Sequence, residues 1–191
     1  MFRTVRRIAL LAATLSAGTL SAQTLHQVDK AHSEINFTAD ARLLTAHGYF
    51  GTWDAKVMLD SAAMEKSSVE LTIDTKSINT RNDRRDGHLK SPDFFAADSF
   101  PAITFKSKSV KKTGASSLDI TGDLTVRGVT KTVTIPAEMI FYEGGMGRFR
   151  GKFSLMRMDY GIKYQSKLNP IKDKVDVEFE MTVAVPKPAK S

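Results

Sequence analysis

Six apolar residues, Val175, Val177, Phe179, Met181, Val183 and Val185, occupy every second position of one segment. Asp176, Glu178, Glu180, Thr182 and Ala184 fill the places between. A period of two puts the six side chains on one face of a β-strand, whereas a helix would scatter them around its circumference. The same alternation runs through Val69, Leu71 and Ile73, through Ile103 and Phe105, and through Leu118 and Ile120. Leu124 and Val126 carry it, as do Val133, Ile135, Ala137, Met139 and Phe141. Phe149, Phe153 and Leu155 follow after a turn. About eight half-buried strands are expected.

The connections suit antiparallel neighbours. Arg127-Gly128 reads as a tight turn, since glycine reaches positive φ without steric cost. Lys112 to Ser116 and Glu143 to Gly147 read as hairpin loops. These gaps are too short for helical crossovers, which excludes a mainly parallel sheet. A sandwich or a closed barrel satisfies the pattern, and closure also removes the exposed edges.

One stretch, from Asn79 to Pro101, has no alternation. Ser91-Pro92-Asp93 predicts a helix start, with Ser as N-cap, Pro in the first turn and Asp at the positive end of the dipole. Phe94-Phe95-Ala96-Ala97 would form its turns. Loops of this length in a small domain tend to be lids or binding loops. It is expected to pack over an opening or flank of the sheet. No second domain is expected, and the tail from Pro186 to Ser191 reads as frayed.

The chain opens with Arg3, Arg6 and Arg7, an uncharged run from Ile8 to Leu20, and small residues up to Ala22. That order describes a secretory signal peptide over residues 1–22. The apolar run is short of the roughly 20 residues that cross a bilayer. Arg6-Arg7 alone fits the twin-arginine route poorly, so ordinary secretion is expected. The formal charge of +7 falls to +4 once the leader arginines are removed, too modest and dispersed to suggest a nucleic-acid partner. Cysteine is absent, which excludes disulfides, Cys-ligated zinc and a Cys nucleophile.

No catalytic constellation emerges. His26, Asp29 and Ser33 share one extended segment without a nucleophile elbow, and His32-x-Glu34 lacks a third metal ligand. Gly144-Gly145-x-Gly147 lies in a hairpin turn, not between a strand and a helix, so no dinucleotide cofactor is implied. Asp83, Asp86, Asp93 and Asp98 among Arg81, Arg84 and Arg85 read as a solvated, salt-bridged loop; the sharper reading has Arg85 meeting an anionic head group. Lys106, Lys108, Lys111 and Lys112 form a basic strand end, a solvated edge or a transient contact with an anionic membrane surface. Phe37, Phe50, Phe94, Phe95, Phe105, Phe141, Phe153 and Phe179 fall mainly on inferred inward faces. They either fill a core or line a cavity, because an eight-stranded barrel can do both.

Several separated motifs point to one family. Arg85-Asp-Gly-His-Leu-Lys-Ser-Pro-Asp-Phe-Phe, followed by Phe100-Pro-Ala-Ile-Thr-Phe105, resembles the signature of the YceI-like family, as does Gly122-Asp-Leu-Thr-Val-Arg-Gly-Val-Thr-Lys131. His32-Ser33 with Phe37, then Gly48-Tyr-Phe50, resemble its N-terminal pattern. Arg157-Met-Asp-Tyr-Gly-Ile162 resembles its Arg-x-Asp-aromatic-Gly-Ile element. The likeness runs from about Leu25 to Val185. It implies an all-β, lipocalin-like antiparallel barrel of eight strands with a helical loop insertion. It also implies a polyisoprenoid or other long amphiphilic lipid as ligand, typically in the periplasm, and often with two copies paired as a homodimer.

On that reading the ligand-binding residues are Phe37, Phe50, Leu71, Ile73, Arg85, His88, Phe94, Phe95, Phe105, Leu124, Phe153 and Phe179. Phe94 and Phe95 are candidates for a gate, and Arg85 or neighbouring lysines for a cationic mouth. Strands of about 11 residues tilted by about 40° give a barrel roughly 28 Å tall. Burying about 500 Å² of hydrocarbon there would contribute on the order of 12 kcal/mol before ordering costs. A non-catalytic carrier needs nothing more; an enzyme acting on an isoprenoid or quinone-like lipid in the same cavity is the alternative.

Overall fold

A computed structural model describes residues 23–186. The expected leader over residues 1–22 and the tail beyond Pro186 lie outside the described residues. The strands are β1 (Thr24–Val28), β2 (Glu34–Ala41), β3 (Thr45–Phe50), β4 (Trp53–Leu59), β5 (Ser68–Asp74), β6 (Ile78–Asn79), β7 (Ala102–Lys112), β8 (Ser117–Val126), β9 (Val129–Glu143), β10 (Met146–Met156) and β11 (Ile171–Ala184), and the alternating segments are β5 and β7 to β11. The single α-helix among the described residues is α1 (Asp83–Lys90).

Every pairing is antiparallel, and β1, β4, β5, β7, β8, β9, β10 and β11 form a ring that the β1–β11 pairing closes. The short strands lengthen members of this ring. β2 continues β1 along β11, β3 runs on into β4, and β6 extends β5 beside β3. The chain thus makes eight up-and-down passes. Two of the breaks have the same local cause. Asp29 accepts from the Ala31 amide at 3.0 Å and Asp74 from the Lys76 amide at 2.8 Å, each capping one 3₁₀ turn between strand pieces.

The turns follow the sequence closely. Arg127 (φ 50°) and Gly128 (φ 74°) are both left-handed, the geometry of a two-residue hairpin turn. Gly144 and Gly145, with φ of 58° and 79°, make a second such turn, tighter than the five-residue loop expected from Glu143 to Gly147.

Strict alternation fails at one place in β9. Met139 pairs with Phe149 and Phe141 with Arg148, so Ile140 is an extra residue. Ile135, Ala137 and Met139 face inward before this bulge; after it Tyr142 turns to the core and Phe141 lies outside, 41% exposed. One inserted residue exchanges the two faces of a strand, which is why the inward expectation for Phe141 does not hold. Val185 also departs from its expected face, lying past the end of β11 against Gly145.

The helix lies earlier than predicted. Asn82 caps it, accepting from the Arg85 amide at 3.0 Å, with Asp83 and Asp86 in the first turn. Ser91, expected as an N-cap, ends it: its backbone is extended (φ −70°, ψ 170°), as favoured before Pro92. The chain from Ser91 to Phe100 then makes successive turns, with Ala96 at φ 47°, so no helix follows.

β7 begins at Ala102 opposite Asp74, so no strand flanks β6 on that side. The segment from Thr80 to Pro101 occupies this gap at one end of the barrel. Asp86 anchors it, accepting from the Thr80 amide at 2.9 Å, and Phe94 joins the main core cluster.

Candidate ligand-binding site

The inward faces enclose a cavity of about 480 Å³. That lies within the range of roughly 300–1,000 Å³ typical of small-molecule sites. The wall runs the length of the barrel, from Phe50, Ile73 and Ile162 near α1 to Val57, Leu118 and Val183 at the far end. The barrel is therefore lined rather than filled.

Aromatic rings on the wall rest on glycines of the next strand. Phe37 pairs directly with Gly48, and Phe179 with Gly151. A Cβ at Gly48 would come within 2.3 Å of Phe37 Cζ, and one at Gly151 within 2.4 Å of Phe179 Cε1. Glycine lets these rings lie against the sheet, which leaves the axis open.

Phe37, Phe50, Leu71, Ile73, Phe105, Leu124, Phe153 and Phe179 all lie on this wall, as the period-two reading requires. Arg85, His88, Phe94 and Phe95 also reach it, from α1 and the turns behind it. Phe94 is nearly buried and packs 4.9 Å from the His88 ring and 5.0 Å from that of Tyr164, with His88 itself 4.8 Å from Tyr164. This three-ring cluster joins α1 to the segment between β10 and β11.

The polar groups at this end have distinct roles. His88 Nε2 lies 2.9 Å from Asp93 Oδ2. Arg85 donates from Nε to the Thr80 hydroxyl and from Nη2 to the Thr80 carbonyl, both at 2.7 Å, and the Thr80 hydroxyl hydrogen-bonds Asp86. Arg85 is positioned by Thr80 and pairs with no carboxylate among the described residues. The expected aspartate–arginine bridges of this loop do not form among the described residues: Asp98 pairs with Lys76, Asp93 with His88, and Asp86 is taken up by Thr80. Likewise Lys106 and Lys108 of the basic strand end are engaged, with Glu70 and Asp123.

The element from Arg157 to Ile162 contributes residues not named in advance as binding residues. The buried Arg157 guanidinium donates to the carbonyls of Ile162 (2.7 Å), Tyr164 (3.0 Å), Ile171 and Lys172 (both 3.1 Å). Burial lowers its pKa, yet four carbonyls satisfy it, and it shapes the loop that carries Tyr164. Tyr160 lies on the cavity wall, and its buried hydroxyl meets no hydrogen-bond partner among the described residues. Burial, with the nearby Asp159 carboxylate, raises the phenol above its ordinary value. The motif marked this element as special, but period-two counting could not, because it lies outside the strands.

Other pairings considered from sequence are resolved otherwise. His26 binds Thr24 and Tyr142 rather than Asp29 or Ser33, Asp29 pairs with His32, and Ser33 bonds Thr182. No three His, Asp or Glu side chains stand together as metal ligands among the described residues. Two wall residues, Leu44 and His88, are exposed, which locates the mouth between the β2–β3 hairpin and α1.

The YceI-like domain model matches residues 26–183. The chain belongs to the YceI-like family. A relative, the UPF0312 protein of Azotobacter vinelandii, is 33% identical over 182 residues, covering 92% of this chain and 94% of its own length. The crystal structure of Burkholderia cenocepacia BcnA superposes with a TM-score of 0.76 at 25% identity, covering 82% of this YceI-like chain and 99% of BcnA. A polyisoprenoid binding domain from Saccharophagus degradans, implicated in plant cell wall breakdown, superposes with a TM-score of 0.67, covering 85% of this chain and 99% of that one. At 17% identity that likeness is one of fold.

Proposed function

We propose that this YceI-like protein is a periplasmic carrier that sequesters a polyisoprenoid or similar long amphiphilic lipid. The observation that carries the reading is the continuous apolar cavity, lined end to end by inward strand residues and reaching the surface beside Leu44 and His88. An elongated apolar lumen suits a chain that must be shielded from water, and burial of its hydrocarbon supplies the affinity. The polyisoprenoid binding domain that shares the fold supports the ligand class, and the leader over residues 1–22 supports the compartment.

The polar end of the ligand is assigned to the mouth. Arg85 presents a cation that pairs with no carboxylate among the described residues. The role proposed is binding without chemistry, in keeping with the absence of any Ser or Thr hydroxyl bonded to His88 among the described residues.

Native mass spectrometry of the chain from Gln23 to Ser191, purified from periplasm without detergent and followed by solvent extraction, tests this. A stoichiometric long-chain lipid is expected, and the same spectrum reads whether two copies pair. A clean apo mass with no uptake of added prenyl lipid would overturn carriage. Conversion of a bound lipid to product, lost in His88→Ala with binding intact, would replace the carrier with an enzyme.

A further inference from the structure

Two loops meet beside the mouth. The tip of the β2–β3 hairpin is tied to the segment before β11: the Leu43 amide donates to Asn169 Oδ1 at 2.8 Å and the Arg42 amide to the Pro170 carbonyl at 3.0 Å. Both loops present apolar side chains outward. Leu168 is 82% exposed, Leu43 72% and Leu44 43%. Leu44 also lines the cavity, as do Ser166 and Asn169 of the second loop, so the exposed patch runs without interruption into the lumen.

The same two loops carry cations beside these leucines. Arg42, Lys163 and Lys167 are exposed, and none pairs with a carboxylate among the described residues. The nearest acids in sequence are occupied elsewhere: Asp40 pairs with Lys172 and Asp159 with Lys131, while Asp173 accepts from the Met158 amide. On the strands most lysines and arginines are matched, as in Lys106–Glu70, Lys108–Asp123 and Arg150–Glu138, with Lys56, Lys111 and Lys112 the exceptions among the described residues; Arg81, Arg84, Arg85 and Lys90 of the neighbouring α1 region are likewise unmatched. Solvent-facing leucines on loops that also carry unmatched cations are the composition of a surface that enters a bilayer interface. The leucines would sit among the acyl chains and the cations among the anionic head groups.

We infer that the paired tips Arg42–Leu44 and Lys163–Leu168 form a docking surface for an anionic lipid bilayer, seating the barrel mouth-first on the membrane. This differs from the basic strand end at Lys111 and Lys112, which lies at the opposite end of the barrel. The inference takes from the proposed function only the direction of use, lipid passing between membrane and cavity. The docking itself requires no cavity ligand and can hold or fail independently.

Vesicle flotation tests it, using the chain from Gln23 onward, which contains the whole closed barrel. The probes are phosphatidylcholine vesicles with and without phosphatidylglycerol. The protein is expected to float with the anionic vesicles and to be released by high salt. The double variant Leu43→Asp/Leu168→Asp, and separately Arg42→Glu/Lys167→Glu, should each lower the partition coefficient about tenfold or more. Lys111→Glu/Lys112→Glu should leave it within about twofold. All substituted side chains face solvent, and circular dichroism confirms that each variant is folded. Absence of binding to anionic vesicles overturns the inference. So does loss of binding in the Lys111/Lys112 variant equal to that of the tip variants, which would mean general basicity. A change of oligomeric state in the leucine variant without a change in flotation would reassign the patch to a contact between copies.

Discussion

His26 Nε2 and the Tyr142 hydroxyl meet at 2.9 Å, linking residues 116 apart in the chain at the barrel end opposite the mouth. His26 is 1% exposed, and its Nδ1 lies 2.8 Å from the Thr24 carbonyl, which can only accept. Nδ1 therefore carries the proton, and Nε2 accepts from Tyr142. The pair gives a buried imidazole both of its bonds where β1 enters the ring. Tyr142→Phe keeps the ring but leaves Nε2 unmet in the core. Urea denaturation should show a loss of about 1–3 kcal/mol with an unchanged m-value.

Gly151 faces Phe179 across β10 and β11, and a methyl group there would also approach the Pro136 carbonyl to 2.6 Å. The backbone oxygen cannot swing away as a side chain could. Gly151→Ala should destabilise by about 1–3 kcal/mol, read from the urea midpoint. Gly87→Ala, with nothing within 4 Å of the added carbon, is the matched control.

Ala39 and Ala46 oppose each other across β2 and β3, and both line the cavity. Replacing both by Phe fills lumen near the mouth without adding a charge. Affinity for a polyprenol probe should fall roughly tenfold or more, equivalent to losing at least about 1.4 kcal/mol of binding. Unchanged affinity in a folded variant would place the ligand elsewhere.

The Glu70–Lys106 pair on the outer wall is 2.9 Å long. The Lys106 ammonium, through its hydrogen bond and charge, lowers Glu70 below its ordinary 4.5; Glu70 in turn raises Lys106 above 10.5. The contribution is therefore fully present between those two values. It is lost as pH falls through the folded Glu70 pKa and as pH rises through the folded Lys106 pKa. Both side chains are solvated, so the effect is small and salt-sensitive. Thermal melts of wild type and Lys106→Met across pH should differ most between these limits and converge at the acid and alkaline ends.

Much of the barrel was legible residue by residue. Period-two spacing identified β5 and β7 to β11 and placed Leu71, Ile73, Phe105, Leu124, Phe153 and Phe179 on the inner wall, because burying one face of a strand requires that spacing; β1 to β4 and β6 carried no alternation clear enough to mark them. Arg127-Gly128 was legible as a turn because its backbone geometry is local. The start of α1 was misplaced because Ser91-Pro92-Asp93 and Asn82-Asp83 carry competing local signals. Packing against Thr80 and the following turn at Ala96 decide between them.

By itself, the sequence determined that β5 and β7 to β11 are strands, which of their residues face inward wherever the alternation is unbroken, and the family to which the chain belongs. Those properties rest on neighbours one to four positions apart and on motifs in order. Only the tertiary structure decided whether the inward residues fill the barrel or line it, where the bulge at Ile140 exchanges Phe141 for Tyr142, and where the mouth opens. It also decided that Leu43 lies against Asn169, 126 residues away. Such contacts depend on ring closure, register and the volume left between packed side chains, and no local pattern encodes them.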